Sequence, residues 1–384
     1  MAAEGGPPVR IAMVHSFYSS AQPSGENTVV LNEVDALRRA GHEVALFAAH
    51  TDDLEGEVFY KLRAGMRVAT GYGRNPLKAI KEFSPDVVHV HNLFPNYGRR
   101  WVEDLDAPLV HTLHNYRPIC ANGLLFRDGQ SCTLCIDGHA LAALVHSCYR
   151  DSRLATLPLA FAQRGGTSSD ALLRHADATI VLSPLQRDLY RRAGVPDERM
   201  AVSPNFLPDD LDPGPTYSPG AFFLGVGRLS PEKGFAELAR RWPSEHRLVI
   251  VGDGPDRQVL ERIDNPAIEL KGAVCRNDVL DLMREARALI FPSRSFECAP
   301  LVHVEALAAG TPVAAAPDNS VAATIEMTGG GSVVPWADWG RLLPDFPAEA
   351  EHRREARRVF EEHYTESAFT RRATALYARL KEGR

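Results

Sequence analysis

The 384-residue chain is 45% hydrophobic and 24% charged, the balance of a folded globular protein, and it is too long for one ordinary core, so two domains are expected. Its formal net charge of −6 leaves no basic footprint for nucleic acid. The opening MAAEGGPPVR lacks the apolar centre of a signal peptide and no run approaches a membrane span, so the expected home is the cytoplasm, peripheral at most at the inner face of the membrane, with the six cysteines reduced.

Residues 9–15 (VRIAMVH) read as a compact buried strand, followed over 16–26 by a loop that holds Pro23, Ser24 and Gly25. Over 27–39, Val30, Leu31, Val34 and Leu37 recur at helical spacing; Gly41 stops the helix and 44–48 form a second strand. Strand, loop, helix, strand is the opening of a doubly wound parallel sheet. Further strands are expected at 87–90, 109–113, 179–182 and 200–202, making residues 1–207 one Rossmann-like α/β domain with a cysteine-bearing insertion over 117–150. His111 and His114 come at the end of a strand in PLVHTLHN, whereas His89 and His91 in DVVHVHN read as core histidines.

Residues 208–220 (PDDLDPGPTYSPG) contain four prolines and two glycines without an apolar period, a linker. A second series starts at 222–226, with a loop over 227–234, a helix to 241, strands at 248–251 and 268–270, and a helix over 278–285. The same alternation twice implies two α/β domains, 1–207 and 221–364, with parallel sheets facing across a cleft where ligands meet the carboxyl ends of the strands. Residues 365–384 hold a last helix with Phe369, Ala373, Leu376, Tyr377 and Leu380 in one apolar stripe.

Residues 288–313 (ALIFPSRSFECAPLVHVEALAAGTPV) organise this second half. An apolar run ending at Phe291 empties into a loop bearing Glu297, and Pro300 opens a helix that is apolar all round and stops at Gly310 and Pro312. Such a helix has no cheap place for Glu305, which needs either an internal cation or the hydroxyls of a ligand. Between Glu297 and Glu305 the free N–H groups of the first turn offer a phosphate seat. The loop GVGRLSPEKG carries Arg228 and Lys233, a planar fork and a point charge suited to a pyrophosphate; two surface cations are the alternative. The dinucleotide fingerprint fails because Ser230 stands at its third glycine.

The E-x7-E of Glu297 and Glu305, continued by EALAAGTPV and preceded by G-R-x4-K-G, resembles the donor signature of retaining glycosyltransferases of the GT4 family, which share the two-domain GT-B fold. The resemblance is strongest over 222–313. It implies that Glu297 contacts hydroxyls of the transferred sugar, Glu305 holds the ribose hydroxyls, Arg228 and Lys233 clamp the donor phosphates, and Cys298, Ala299, Pro300 and Leu301 line the donor pocket. Val274 falls where family members hold the nucleobase edge. Gly25 falls in the family's Gly-rich donor loop, but Glu26 stands at its usual second glycine; Glu26 and Asn115 are placed on the acceptor side. His114 matches the histidine that meets sugar hydroxyls near the reacting carbon. The last helix is expected to cross back onto the first domain.

Cys120, Cys132, Cys135 and Cys148 are spaced C-x11-C-x2-C-x12-C, suited to tetrahedral Zn(II). Four thiolates leave no open position, so such a zinc would be structural; His139 and His146 are substitute ligands, and four unrelated thiols are the other reading. Asp104 and Asp106, like Asp210 and Asp212, spell D-x-D but read as solvated loop charges.

The implied activity is metal-independent, retaining transfer of a sugar from a nucleoside diphosphate sugar (UDP or GDP) to a hydroxyl acceptor by front-face displacement, with no catalytic cofactor. The acceptor classes are a glycan, a lipid-linked sugar or a small natural product. The rivals are a nucleotide-sugar 2-epimerase on the same fold and a non-catalytic binding protein that uses the cysteine module. Arg150, Arg153 and Arg164 around the apolar 154–161 suit weak membrane contact or, equally, a core helix.

Overall fold

The computed structural model describes residues 7–20, 25–139, 141–218, 220–342 and 346–383; Pro23 and Ser24 of the expected first loop lie outside them. The first half supplies β1 (Arg10–Phe17), β2 (Glu43–His50), β3 (Val87–Asn92), β4 (Leu109–Leu113), a two-residue hairpin pair β5 (Phe126–Arg127) and β6 (Gln130–Ser131), β7 (Ala178–Val181) and β8 (Met200–Val202). Six of these form a sheet in the order β2-β1-β3-β4-β7-β8, parallel throughout. The second half supplies β9 (Phe222–Val226), β10 (Leu248–Val251), β11 (Ile268–Gly272), β12 (Ala286–Phe291), β13 (Val313–Ala315) and β14 (Gly331–Val333). They form a second parallel sheet in the order β11-β10-β9-β12-β13-β14.

Helices cover both faces of such sheets, which is why the strands read as unbroken apolar runs; every residue of β3, β4, β7 and β10 is buried. Strand order reverses between β1 and β3 and again between β9 and β12. Crevices open outside the carboxyl ends of strands at such switch points. The loops that leave β9 and β12 carry Lys233 and Glu297, so the topology alone directs the second-domain motif to a crevice.

The chain's last helix, Glu366–Glu382, lays Phe369, Ala373, Leu376 and Tyr377 into the core beneath the first sheet with Ile11, Met13, Val87 and Phe206. Phe206 and Phe369 stack with ring centroids 4.3 Å apart. The preceding helix, Ala350–His363, instead packs Ala356, Val359 and Phe360 into the second core. The two strands of this double crossing lie side by side where the Leu207 N–H donates to the Tyr364 carbonyl at 3.0 Å.

Three readings change. Gly25 and Glu26 belong to the first turn of the helix Gly25–Arg39 rather than to a loop, and a Cβ at Gly25 would meet nothing within 4 Å, so no close approach requires glycine there. The helix Arg153–Ala162 is not a core helix on its outer face, where Leu154 is 84% and Leu157 51% exposed. Asp212 is not a solvated loop charge; it accepts both arms of the Arg357 guanidinium at 2.7 and 2.8 Å.

Candidate active site

Gly234 joins the β9 loop to the β12 loop. It has φ +76°, and a Cβ there would lie 2.0 Å from the Pro292 carbonyl oxygen, so only glycine lets the two loops touch. That approach brings the Lys233 Nζ to 2.6 Å from the Glu297 Oε1, which also accepts from the Ser293 Oγ at 2.8 Å. Glu297 sits at φ +52°, a left-handed conformation that costs a non-glycine residue free energy and survives only where its surroundings impose it. Asn319 supplies part of that restraint, donating its amide to the carbonyls of Ser293 (3.1 Å) and Ala316 (2.7 Å).

Past Glu297 the chain reaches the helix Leu301–Ala308, whose N-cap Pro300 has no side chain that can satisfy the first-turn amides. Glu305, 8% exposed, lies one turn further on. Its Oε1 accepts from the Arg276 Nη2 at 2.7 Å, so in this structure the internal cation holds it. Burial raises the Glu305 carboxyl above its usual range and the Arg276 charge pulls it back; the Arg276 Nε is buried without a partner.

The same loop is sealed against the first domain by three contacts. The Tyr116 hydroxyl donates to the Glu297 carbonyl at 2.6 Å, the Asn205 amide to the Ala299 carbonyl at 2.7 Å, and the Gln186 amide to the Cys298 sulfur at 3.2 Å. Burial pushes the Cys298 thiol up, which keeps it unreactive. His114, just past β4, places its Nε2 2.8 Å from the His91 Nδ1, and burial holds both rings far below their usual range, hence neutral. The Asn115 amide reaches the Glu26 Oε2 at 3.3 Å. Burial, opposed by the Arg117 charge, raises the Glu26 carboxyl to about 7, and its Oε1 has no hydrogen-bond partner.

Lys233 and Glu297 therefore meet directly, the backbone of Glu297 and Ala299 is fastened to the first domain, and His114 and Asn115 line a cavity of that domain. Arg228 is exposed after β9 and Val274 leans against the second core. Sequence reasoning missed Ser293, Tyr116, Gln186 and Asn205, which carry no local motif. Arg276, two residues past Val274, was given no role, although a cation opening a helix beside a buried Glu was a usable signal.

Cys120, Cys132, Cys135 and Cys148 line one small cavity with His146. No three of their sulfurs lie within 4.8 Å of one another: the only three-ligand set that close among the described residues is Glu33, His89 and His91. Both nitrogens of His89 are already engaged, by the Tyr377 and Thr112 hydroxyls at 2.7 Å each.

Two family models match the chain, Glycosyltransferase Family 4 over residues 23–211 and Glycosyl transferases group 1 over residues 221–343. A GDP-mannose-dependent alpha-mannosyltransferase of Mycobacterium tuberculosis is 26% identical over 371 residues, 90% of this chain and 89% of that protein. An exopolysaccharide phosphotransferase of Streptomyces coelicolor is 30% identical over 201 residues, 49% of this chain but 20% of that longer protein. The crystal structure of Anabaena HepE in complex with UDP superposes with TM-score 0.62 at 16% identity, covering 96% of this chain and 100% of that one, a likeness of fold.

Proposed function

The chain belongs to the family 4 glycosyltransferases with the GT-B fold, and from that premise we propose that it moves a sugar from a nucleoside diphosphate sugar to a hydroxyl acceptor with retention at the anomeric carbon. The observation that carries this reading is the Lys233–Glu297 pair beside the uncapped N-terminus of the helix Leu301–Ala308. Amide donors and the Lys233 cation suit the diphosphate, with Arg228 closing from solvent; Glu297 suits hydroxyls of the sugar and Glu305 those of the ribose. In a front-face step the bond from the anomeric carbon to the phosphate oxygen breaks, its electron pair leaving with the diphosphate. The acceptor oxygen bonds to the same face and its proton passes to the departing phosphate oxygen. The chain's contribution is positioning and stabilisation of the leaving charge. The donor base is proposed as uracil or guanine, in keeping with the UDP of the structural neighbour and the GDP-mannose of the mycobacterial relative.

A thermal-shift panel of UDP, GDP, ADP, CDP and dTDP on wild type and Glu305→Ala tests the donor site. A ligand at about a hundred times its Kd adds roughly 2.7 kcal/mol to stability. One diphosphate should stabilise wild type clearly and the variant little; no response to any of them from folded protein would remove the reading. Donor consumption without acceptor would favour the 2-epimerase.

Structural zinc at Cys120, Cys132, Cys135 and Cys148 belongs to the same proposal; bound tetrahedral zinc would draw the four sulfurs to about 3.8 Å from one another. So does peripheral membrane contact. No helix among the described residues is long and apolar enough to cross a membrane. The exposed Leu154, Leu157 and Phe161, with Leu62 and Met66 on the adjoining helix Tyr60–Thr70, form an apolar face near Arg63, Arg153 and Arg164 that suits an anionic bilayer surface. Sedimentation with anionic vesicles should carry down wild type and not Leu154→Asp; equal sedimentation of both would exclude this face.

A further inference from the structure

A cavity of about 100 Å³ opens in the first domain beside His114 and Asn115, where the chain leaves β3 and β4. Three arginines line it, Arg67, Arg99 and Arg117, against one carboxylate, Asp170. Asp170 serves Arg99, at 3.7 Å from its Nε. Arg67 and Arg117 have no ion pair among the described residues. Each spends one Nη on a backbone carbonyl, Arg67 on Pro95 at 2.9 Å and Arg117 on Ala121 at 3.0 Å. Each also has its Nε buried with no hydrogen-bond partner. The Arg117 guanidinium lies over the Phe94 ring at 4.3 Å, which fixes its plane.

A cation taken out of water without a counter-charge costs free energy, and fixed guanidinium forks are matched to phosphate and carboxylate oxygens. Burial pulls Arg67 below its usual range, and the nearby Tyr60 and Glu57 offset it only in part. The neighbouring His91, His111 and His114 stay neutral and add none. Glu26, the acid within electrostatic reach of Arg117, is itself raised to about 7 by burial and compensates only in part.

We propose that this cavity seats the anionic group of the acceptor, a phosphate monoester or a carboxylate, between Arg67 and Arg117, leaving the acceptor's hydroxyl toward His114 and Asn115. The acceptor role rests on the transferase reading, whereas anion binding does not. The cavity has room for one phosphate or carboxylate head, and the rest of the molecule would extend into the cleft.

Calorimetric titrations of the full chain with inorganic phosphate, glucuronate and neutral glucose, with and without saturating UDP or GDP to fill the donor phosphate seat, test it. Phosphate or glucuronate should bind at least about tenfold more tightly than glucose with the nucleotide present. Arg67→Gln and Arg117→Gln should each weaken that binding about tenfold, Arg67→Lys less, and Arg358→Gln, on an exposed helix face of the second half, not at all. Preference for phosphate assigns a phosphorylated acceptor and preference for glucuronate an acidic sugar. Equal binding of anions and glucose, or anion affinity unchanged in folded Arg67→Gln and Arg117→Gln, overturns the proposal. If no nucleotide binds but the arginine-dependent anion site persists, the transferase reading falls and the anion site stands.

Discussion

Glu33 and His91 face each other in the first core with the Glu33 Oε2 3.7 Å from the His91 Nε2, and neither atom has a hydrogen-bond partner. Burial raises the Glu33 carboxyl to about 8, and the groups around it, His89, His91 and the Tyr377 hydroxyl, bring no cation. The folded chain therefore keeps this proton up to about pH 8, while the unfolded chain releases it near 4.5. Between those values the folded state binds more protons, so stability falls as pH rises. Glu33→Gln removes that loss. Urea unfolding should show the variant close to wild type at pH 5 and more stable at pH 9 by roughly 1–4 kcal/mol; a gap that does not change with pH would refute the assignment.

Lys233→Ala leaves Glu297 without its cation and takes one positive charge from the proposed phosphate seat. Transfer rate should fall by about 10²–10³-fold, as when a preorganised charge partner is lost, with far-UV circular dichroism unchanged. Glu297→Gln should weaken turnover more than nucleotide affinity, since Glu297 is assigned to the sugar rather than the diphosphate.

Gly234→Ala forces a Cβ against the Pro292 carbonyl at 2.0 Å in a left-handed conformation. The loss is expected to be on the order of 2–4 kcal/mol in chemical denaturation, together with weaker diphosphate binding because Lys233 moves away from Glu297. A variant as stable as wild type would mean that the two loops part freely.

Glu26, raised to about 7 with one oxygen unpaired, is placed to accept a hydrogen bond from an acceptor hydroxyl once ionised. Turnover per acceptor concentration should rise with pH through about 7 in wild type and lose that limb in Glu26→Gln. Retention of both activity and acceptor KM in the variant excludes the role.

The four insertion cysteines should hold about one zinc per chain by elemental analysis, falling toward zero in Cys132→Ser or Cys135→Ser with a lower melting temperature. Without metal, burial keeps the Cys135 thiol at about 11 and hence protonated at neutral pH. Purified protein with no zinc in it, or a zinc content unchanged in both variants, would leave four separate thiols.

Much of the fold was legible because local patterns record local burial. Leu248–Val251 and residues 288–291 are apolar runs because a parallel sheet covered on both faces buries every one of them, and the Gly and Pro punctuation between runs marks where each strand leaves the sheet. The three-residue strands β13 and β14 escaped notice, since Val313–Ala315 and Gly331–Val333 are too short to establish a period. At the site, the spacing of Glu297 and Glu305 within one loop and helix was likewise readable as sequence. That Lys233 would grip Glu297, that Arg276 would hold Glu305 and that Tyr116, Gln186 and Asn205 would fasten the loop to the first domain was not. Those partners come from segments far apart in the chain, and their meeting is settled by the parallel crossovers and by the last helix returning to the first core. The cavity's excess of positive charge has the same origin: Arg67, Arg99 and Arg117 are ordinary surface letters in the sequence, and only the folded arrangement of three segments half-buries them around one cavity with Asp170 as its one carboxylate.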